Sequence, residues 1–502
     1  MKIQQLFALL TGALLVLAEN ALGHGRAEGS GALQFKVSFD PAFQSTPYTG
    51  RVYVVISDQS EEEPRMSINN WFRPPQVFAK DVKDLSGADS VSLGDGALYH
   101  PSKLADLQAR EYRVQAVARR SPDHPVPGKG PGDLYSQVQT LTLDHAQSGL
   151  VELRLDQVVA EPPFEESDRV KAVELVSPLL SKFHERPMRL RAGVVLPKDW
   201  KDDPAVRYPV LYMIGGFGSD HRLAHRMANM KTADNLADEV LIVVPDPTCY
   251  RGHSVFADSD NNGPWGRALV EELIPLVEKK FHGVESPVHR YVTGVSSGGW
   301  SSLWLQVTYP DVFNGCWSHC PDPVDFRDFQ RINLYAEGNN MYTDQRGGKR
   351  PLARRGDRVV IEYENFVRAE DVLGPGGQIH SFEAVFSPRA SDGQPRPLFD
   401  RASGRIDTGV ARTWERFDIR LVLERNWPAL KPKLAGKLHI YAGGQDMFYL
   451  EGAVALLKES LHRLGSDATV VVVPDMGHGL YRDAIEPMFR TIVGRAAGGR
   501  DN

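Results

Sequence analysis

Two rhythms of hydrophobic and polar positions divide the chain. Up to about residue 160, apolar residues alternate with polar ones, as in "ALQFKVSF", "RVYVVISD", "EYRVQAVA", "SQVQTLTL" and "LVELRL". A period of two places every second side chain on one face, so each segment predicts a half-buried strand between turns. No amphipathic helix is expected before that point. The spacing fits a small all-β sandwich of roughly immunoglobulin-like size over residues 30–160. Trp71 and Phe72 in "NNWFRPP" are read as edge-strand packing, with contact to a polymer as the alternative. The segment "EPPFEESDR" then interrupts the pattern with prolines and acids.

Beyond it come short, nearly continuous apolar runs: "YPVLYMIGG", "VLIVVPDP", "HRYVTGVS", "KLHIYAGG" and "TVVVVPDM". They alternate with helical patterns such as "WGRALVEELIPLVEKKF" and "EGAVALLKESLHRL". Strands apolar on both faces, separated by helices, predict a parallel sheet covered on two sides, an α/β domain over residues 168–497. In such sheets active sites lie beyond the carboxyl ends of the strands. Between "GCWSHCP" and "KLHIYAGG" the alternation lapses, and a structureless loop of that length is foreign to compact domains. Residues 322–435 are therefore expected to form an inserted cap over the strand ends.

The stretch "YVTGVSSGGWSSLW" joins an apolar run to a helical one. Within it, Gly294-Val295-Ser296-Ser297-Gly298 fits G-x-S-x-G, the strand-to-helix turn that lifts a serine hydroxyl above a sheet. In this register Ser296 is the candidate nucleophile, and Ser297 offers its backbone N–H to an oxyanion. A serine hydroxyl needs a base to take its proton. His478, in the glycine-flanked loop of "VVVPDMGHGLYR", is the candidate base. Asp446, in "LHIYAGGQDMFYL", is the candidate carboxylate that orients it, while Asp475 is read as shaping the turn. The chain order Ser…Asp…His is that of α/β-hydrolases. The glycines of "YMIGGFGSD" let backbone N–H groups approach a ligand, and Phe217 is preferred over Gly218 as second oxyanion donor.

Composition narrows the partners. The chain has 502 residues, enough for two or more domains, with 42% hydrophobic and 24% charged residues. A net charge of −6 argues against nucleic acid, and the basic "DQRGGKRPLARRGDR" is read as a solvated loop. Lys2, the apolar "LFALLTGALLVLA" and the small residues of "ALG" predict a cleaved signal peptide over residues 1–23, with His24 near the mature N-terminus. That run is short of a bilayer span and no later one is long enough, so a secreted or periplasmic protein is expected. Cys249, Cys316 and Cys320 are read as buried thiols or as one bridge from Cys249 to Cys320. "CWSHC" has metal-like spacing but lacks a second ligand cluster. "DSDNNG" from Asp258 starts like a calcium loop, yet its twelfth position is Leu269, and it is read as capping a helix near Pro264. No cofactor or metal is expected.

Taken together, "YPVLYMIGGFG", "EELIPLVEKKF", "GVSSGGWSSLWLQVTYPDVFNG", "YAGGQD" and "MGHG" resemble the esterase D-like "putative esterase" family of α/β-hydrolases. That family includes feruloyl and acetylxylan esterases, enterochelin esterases, S-formylglutathione hydrolases and mycolyltransferases. The resemblance runs from about Tyr208 to Arg490 and is interrupted by the insert. It implies a secreted serine carboxylesterase working through an acyl-enzyme, on feruloyl or acetyl esters of plant polysaccharide. The alternatives are a siderophore esterase or acyltransferase on the same triad, or an inactive carbohydrate-binding protein. Many relatives carry His-Gly in the oxyanion loop, where this chain has Gly215.

Overall fold

The strands Val210–Ile214 and Leu241–Pro245 are buried at every position and Arg290–Val295 nearly so, because helices cover both faces of the sheet they build. The computed structural model describes residues 24–26, 31–43, 45–58, 62–87 and 89–498; the expected signal peptide lies outside them. Eight strands form the larger domain's sheet, in the order Val170–Val176, Arg189–Val195, Leu241–Pro245, Val210–Ile214, Arg290–Val295, Cys316–His319, Leu438–Gly443 and Thr469–Val473. The first two pairings are antiparallel and the rest parallel. This is an α/β-hydrolase fold.

Helix Ser297–Thr308 follows the central strand and is buried along almost its whole length. The rod from Trp265 to Phe281 carries a wide π-turn at Leu269–Leu273, just before Pro275. A proline there removes one N–H and pushes on the carbonyl four residues back, which the wider turn accommodates.

Upstream, ten strands between His24 and Val158 join into one hydrogen-bonded network, where the spacing suggested an immunoglobulin-like sandwich. Arg110–Ala118 bonds to three neighbours: Tyr48–Ser57, Leu134–Ser136 and Gln139–Leu143. The expected alternation is plain in Gln34–Phe39, whose Phe35, Val37 and Phe39 enter a separate core with Val54, Phe78 and Leu153. Tyr48–Ser57 departs from it and is buried on both faces. Its second face, with Tyr53 and Val55, packs on Val372 of the insert.

That docking is polar as well as apolar. Arg51 Nη1 donates to the carbonyls of Asp371 (2.6 Å) and Val372 (2.9 Å), and Tyr53 Oη to that of Leu373 (2.6 Å). These are the orphan carbonyls ending helix Tyr363–Leu373, a site that favours a cation. The rest of residues 322–435 holds a hairpin, Pro351–Arg355 with Arg358–Glu362, and helices Gln378–Phe386, Thr408–Thr413 and Ile419–Leu434. Its Phe386 and Phe417 pack, with rings tilted, against Trp300 and Trp304 of the helix behind the serine turn, so the insert shares the main core. The loop of "DSDNNG" belongs to this union: Asn261 Nδ2 donates to the carbonyls of Ala384 and Ser387.

Candidate active site

Five strand ends converge on one cavity of about 290 Å³, and each brings a residue by topology alone. Phe217 follows Val210–Ile214, Ser296 follows Arg290–Val295, Asp322 follows Cys316–His319, Asp446 follows Leu438–Gly443, and His478 follows Thr469–Val473. Ser296 sits at φ 60°, ψ −126°, a conformation that costs a non-glycine residue about 1–3 kcal/mol. The turn closes against its neighbour strand so tightly that a Cβ on Gly298 would lie 2.1 Å from the Ile214 carbonyl. The loop of Gly215 to Gly218 is as close: a Cβ on Gly216 would meet Ser296 Cβ at 3.3 Å. Among the described residues, no acceptor takes the backbone N–H of Phe217 or Ser297, and Ser297 opens its helix.

His478 and Asp446 form a tight couple. Nδ1 stands 2.8 Å from Asp446 Oδ2, while Oδ1 accepts the N–H of Phe448 at 2.8 Å. Asp446 is fully buried, and Asp475 is exposed on the turn. Burial opposes charge on His478, but the hydrogen bonds to Asp446 and Cys320 and the Asp446 carboxylate outweigh it. The imidazole is pushed up to about 10. With Nδ1 committed, Nε2 remains for the cavity that His478 lines with Ser296.

Ser296 Oγ does not bond to His478 among the described residues; its partner is Asp322 Oδ1 at 3.5 Å. No sequence motif pointed to Asp322. It is buried, accepts from Ser297 Oγ at 2.6 Å, and is reached by Gln378 Nε2 of the insert at 3.3 Å. Desolvation pushes its carboxyl up to about 6, against the hydrogen bond from Ser297 and the nearby His478.

Two other residues escaped the sequence reading. One is His253, whose ring reaches the Gly215 carbonyl from a different loop. Its Nε2 lies 3.0 Å from the Gly215 carbonyl, and its Nδ1 accepts the N–H of Val255 at 3.0 Å. That pairing puts the proton on Nε2, and burial holds the ring neutral by lowering it to about 4. Cys320 also sits here: its Sγ, a His478 nitrogen and an Asp446 oxygen lie within 4.8 Å of one another. The Nδ1–Oδ2 hydrogen bond already occupies two of these donors, so the trio reads as a bonded network and not as a metal centre. All three cysteines are free and buried, in line with the buried-thiol reading and not with its alternative, a bridge from Cys249 to Cys320.

The family model described as "Putative esterase" matches residues 184–358. Over that segment the chain is similar to that family. The segment holds Phe217, Ser296, Ser297 and Asp322, stops within the insert before Asp446 and His478, and supports a serine carboxylic-ester hydrolase. No curated protein matches the sequence. Among solved structures, a ferulic acid esterase is similar at 15% identity and a TM-score of 0.41, covering 65% of this chain and 99% of its own. The substrate-bound fluorophosphonate-binding serine hydrolase F of Staphylococcus aureus shows 17% identity and a TM-score of 0.40, covering 65% and 97%. An S-formylglutathione hydrolase from Agrobacterium tumefaciens shows 14% and 0.38, covering 65% and 93%.

The esterase cavity has an aromatic wall. Phe217 comes from the loop of Gly215 to Gly218, Phe448 from the loop after Asp446, Phe366 and Phe382 from the insert. Trp71 comes from the β domain, and its ring lies 5.8 Å from Phe217, 4.9 Å from Phe366 and 6.0 Å from Phe448. The edge-strand role expected for Trp71 is thus replaced by a place in the site. Among the described residues no helix is long and apolar enough to cross a membrane.

Proposed function

We propose that the protein hydrolyses carboxylic esters through an acyl-enzyme on Ser296. The observation that carries this reading is the 2.8 Å His478–Asp446 couple opening onto the cavity of a serine held in a strained turn. Ser296 Oγ turns from Asp322 toward His478 Nε2, gives up its proton and attacks the ester carbonyl. The oxyanion takes the N–H groups of Phe217 and Ser297, each worth roughly 3–4 kcal/mol in the barrier. His478 then protonates the departing alcohol. Water, deprotonated by the same nitrogen, releases the acid and restores Ser296. Asp446 stabilises the imidazolium throughout.

The wall of Trp71, Phe217, Phe366, Phe382 and Phe448 supports a bulky aryl acyl group, of feruloyl type, over acetyl. With residues 1–23 read as a signal peptide, the enzyme works outside the cytoplasm. A fluorophosphonate tests the nucleophile directly. One label per chain should map to the peptide of Ser296 and vanish in Ser296→Ala. A folded protein that takes no label, or takes it elsewhere, would overturn the assignment and favour a binding protein.

A further inference from the structure

A second cavity of about 560 Å³ lies between the β domain and the insert, and it shares Trp71, Phe217 and Phe366 with the first. The two therefore adjoin, with the packed rings of Trp71, Phe217 and Phe366 at their shared boundary. Phe448 marks the distance: its ring lies 5.1 Å from that of His478 and 6.0 Å from that of Trp71. The outer chamber thus begins about two ring widths from the reacting imidazole.

Both sides contribute apolar residues to its lining. The β domain contributes Pro74, Pro75 and Pro101 with Phe72 and Tyr99, and the insert contributes Val359 and Val360. Phe72, Tyr99, Val359 and Val360 are 46%, 38%, 44% and 37% exposed, although large apolar side chains gain by burial. Four such residues around one groove form a patch that water covers poorly.

Several polar groups of the lining are already engaged. Glu370 accepts the N–H groups of Ile379 and His380, and Glu362 binds Lys349 at 2.7 Å. Asn70 Oδ1 takes the N–H groups of Phe72 and Arg73, Asn69 Oδ1 takes Lys129 Nζ, and Arg368 pairs with Glu364. Burial lowers His100 to about 4 and keeps it uncharged. An alkyl or aryl chain needs no hydrogen-bond partner there.

The walls are also fixed. Asn70 and the Pro74-Pro75 pair hold the Trp71 loop, and the Arg51 and Tyr53 bonds clamp the β domain to helix Tyr363–Leu373. A preformed groove binds without first paying an ordering cost.

We propose that this groove is a second substrate subsite, contributed jointly by the β domain and the insert, that takes an extended apolar arm of the ester whose carbonyl sits at Ser296. The inference rests on the esterase reading above. Each methylene that enters such a groove should raise kcat/KM roughly fourfold until the arm fills it.

Two series of substrates test this: p-nitrophenyl esters from acetyl to octanoyl, and acetate esters of ethanol to octanol. In one series at least, the long-to-short ratio of kcat/KM should exceed a hundredfold. Ala369→Trp, which fills the groove, and Phe72→Asp, on an exposed site that spares folding, should each cut that ratio tenfold or more. Ratios near one in both series would overturn the proposal. So would ratios that neither variant changes, or a preference for feruloylated xylo-oligosaccharide over methyl ferulate that the variants abolish. A binding measurement separates failure of the groove from failure of the esterase reading. A bromoalkyl ester should quench tryptophan emission of Ser296→Ala, with part of the quench lost on Trp71→Phe. Quenching without turnover in the wild type would keep the subsite and overturn only the esterase; turnover without Trp71-dependent quenching would do the reverse.

Discussion

Asp322 makes the candidate site costly to fold, and the cost should switch on with pH. Its carboxyl is buried beside Ser296, Ser297, Gln378 and His478, and desolvation raises it from an ordinary 3.8 to about 6. For a carboxyl raised in the fold, the native state holds its proton longer than the unfolded chain does. Below pH 4 both states are neutral and there is no penalty. Between about pH 4 and pH 6 the unfolded chain ionises first, so stability falls as pH rises. Above pH 6 the full penalty remains, on the order of 3 kcal/mol for a shift of this size.

Asp322→Asn keeps the shape and removes the titration. The informative quantity is the stability of the variant minus that of the wild type, measured by urea unfolding at pH 4 and at pH 8. Other raised carboxyls, such as Glu370 and Asp418, are common to both proteins and cancel. The difference should grow in the variant's favour by up to about 3 kcal/mol between the two pH values, whatever the baseline cost of trading an oxygen for an amide. A difference that stays constant from pH 4 to pH 8 would show that Asp322 does not carry a raised pKa, and the reasoning would fail. The charge would then have to be stabilised by partners beyond Ser297 and Gln378.

Ser296→Ala should lower kcat by several orders of magnitude with an unchanged melting temperature, whereas Ser297→Ala should still take the fluorophosphonate label. Because Ser297 Oγ is the short donor to Asp322, that second variant should lose about 1–3 kcal/mol of stability at pH 8, and a melt indistinguishable from wild type would contradict the contact. His478 is raised to about 10 in the free protein, and the base works only when unprotonated, so kcat/KM should still be climbing between pH 7 and pH 9. A plateau reached by pH 7 would contradict that environment. His253 touches the site through the Gly215 carbonyl and is expected to act as a positioning residue; His253→Phe should drop kcat by roughly 10²-fold while KM stays within a factor of two. Equal changes in kcat and in melting temperature across several His253 variants would instead mark a purely structural ring.

The parts of this molecule that read easily from sequence are those whose cause is local. A strand buried on both faces must be apolar throughout, so "VLYMI" and "LIVVP" announce the central sheet, and a serine turn pressed against a neighbouring carbonyl must carry Gly298. The strands Val170–Val176 and Arg189–Val195 were harder. They pair antiparallel at the sheet's edge and keep an alternating pattern, which resembles the upstream domain more than the sheet they join. Candidate residues for the chemistry follow the same logic, since each stands just past a strand end that topology brings to one edge.

What surrounds that chemistry has no such local cause. Asp322 follows a strand as Asp446 does, but nothing in "HCPDPVD" says that its carboxylate will be buried against Ser297. His253 comes from a loop distant in sequence, so only the hydrogen bond to Gly215 identifies it. Trp71 is the strongest case. The local pattern "NNWFRPP" describes a turn on a small β domain, and nothing within it refers to a serine in another domain. Its position arises from the docking of the two domains, which the Arg51 and Tyr53 caps on helix Tyr363–Leu373 help to hold together. It follows that the reaction and its selectivity are separable here. Breaking the Arg51 and Tyr53 contacts should leave Ser296, Asp446 and His478 where their own strands put them, while the wall that chooses the substrate moves away.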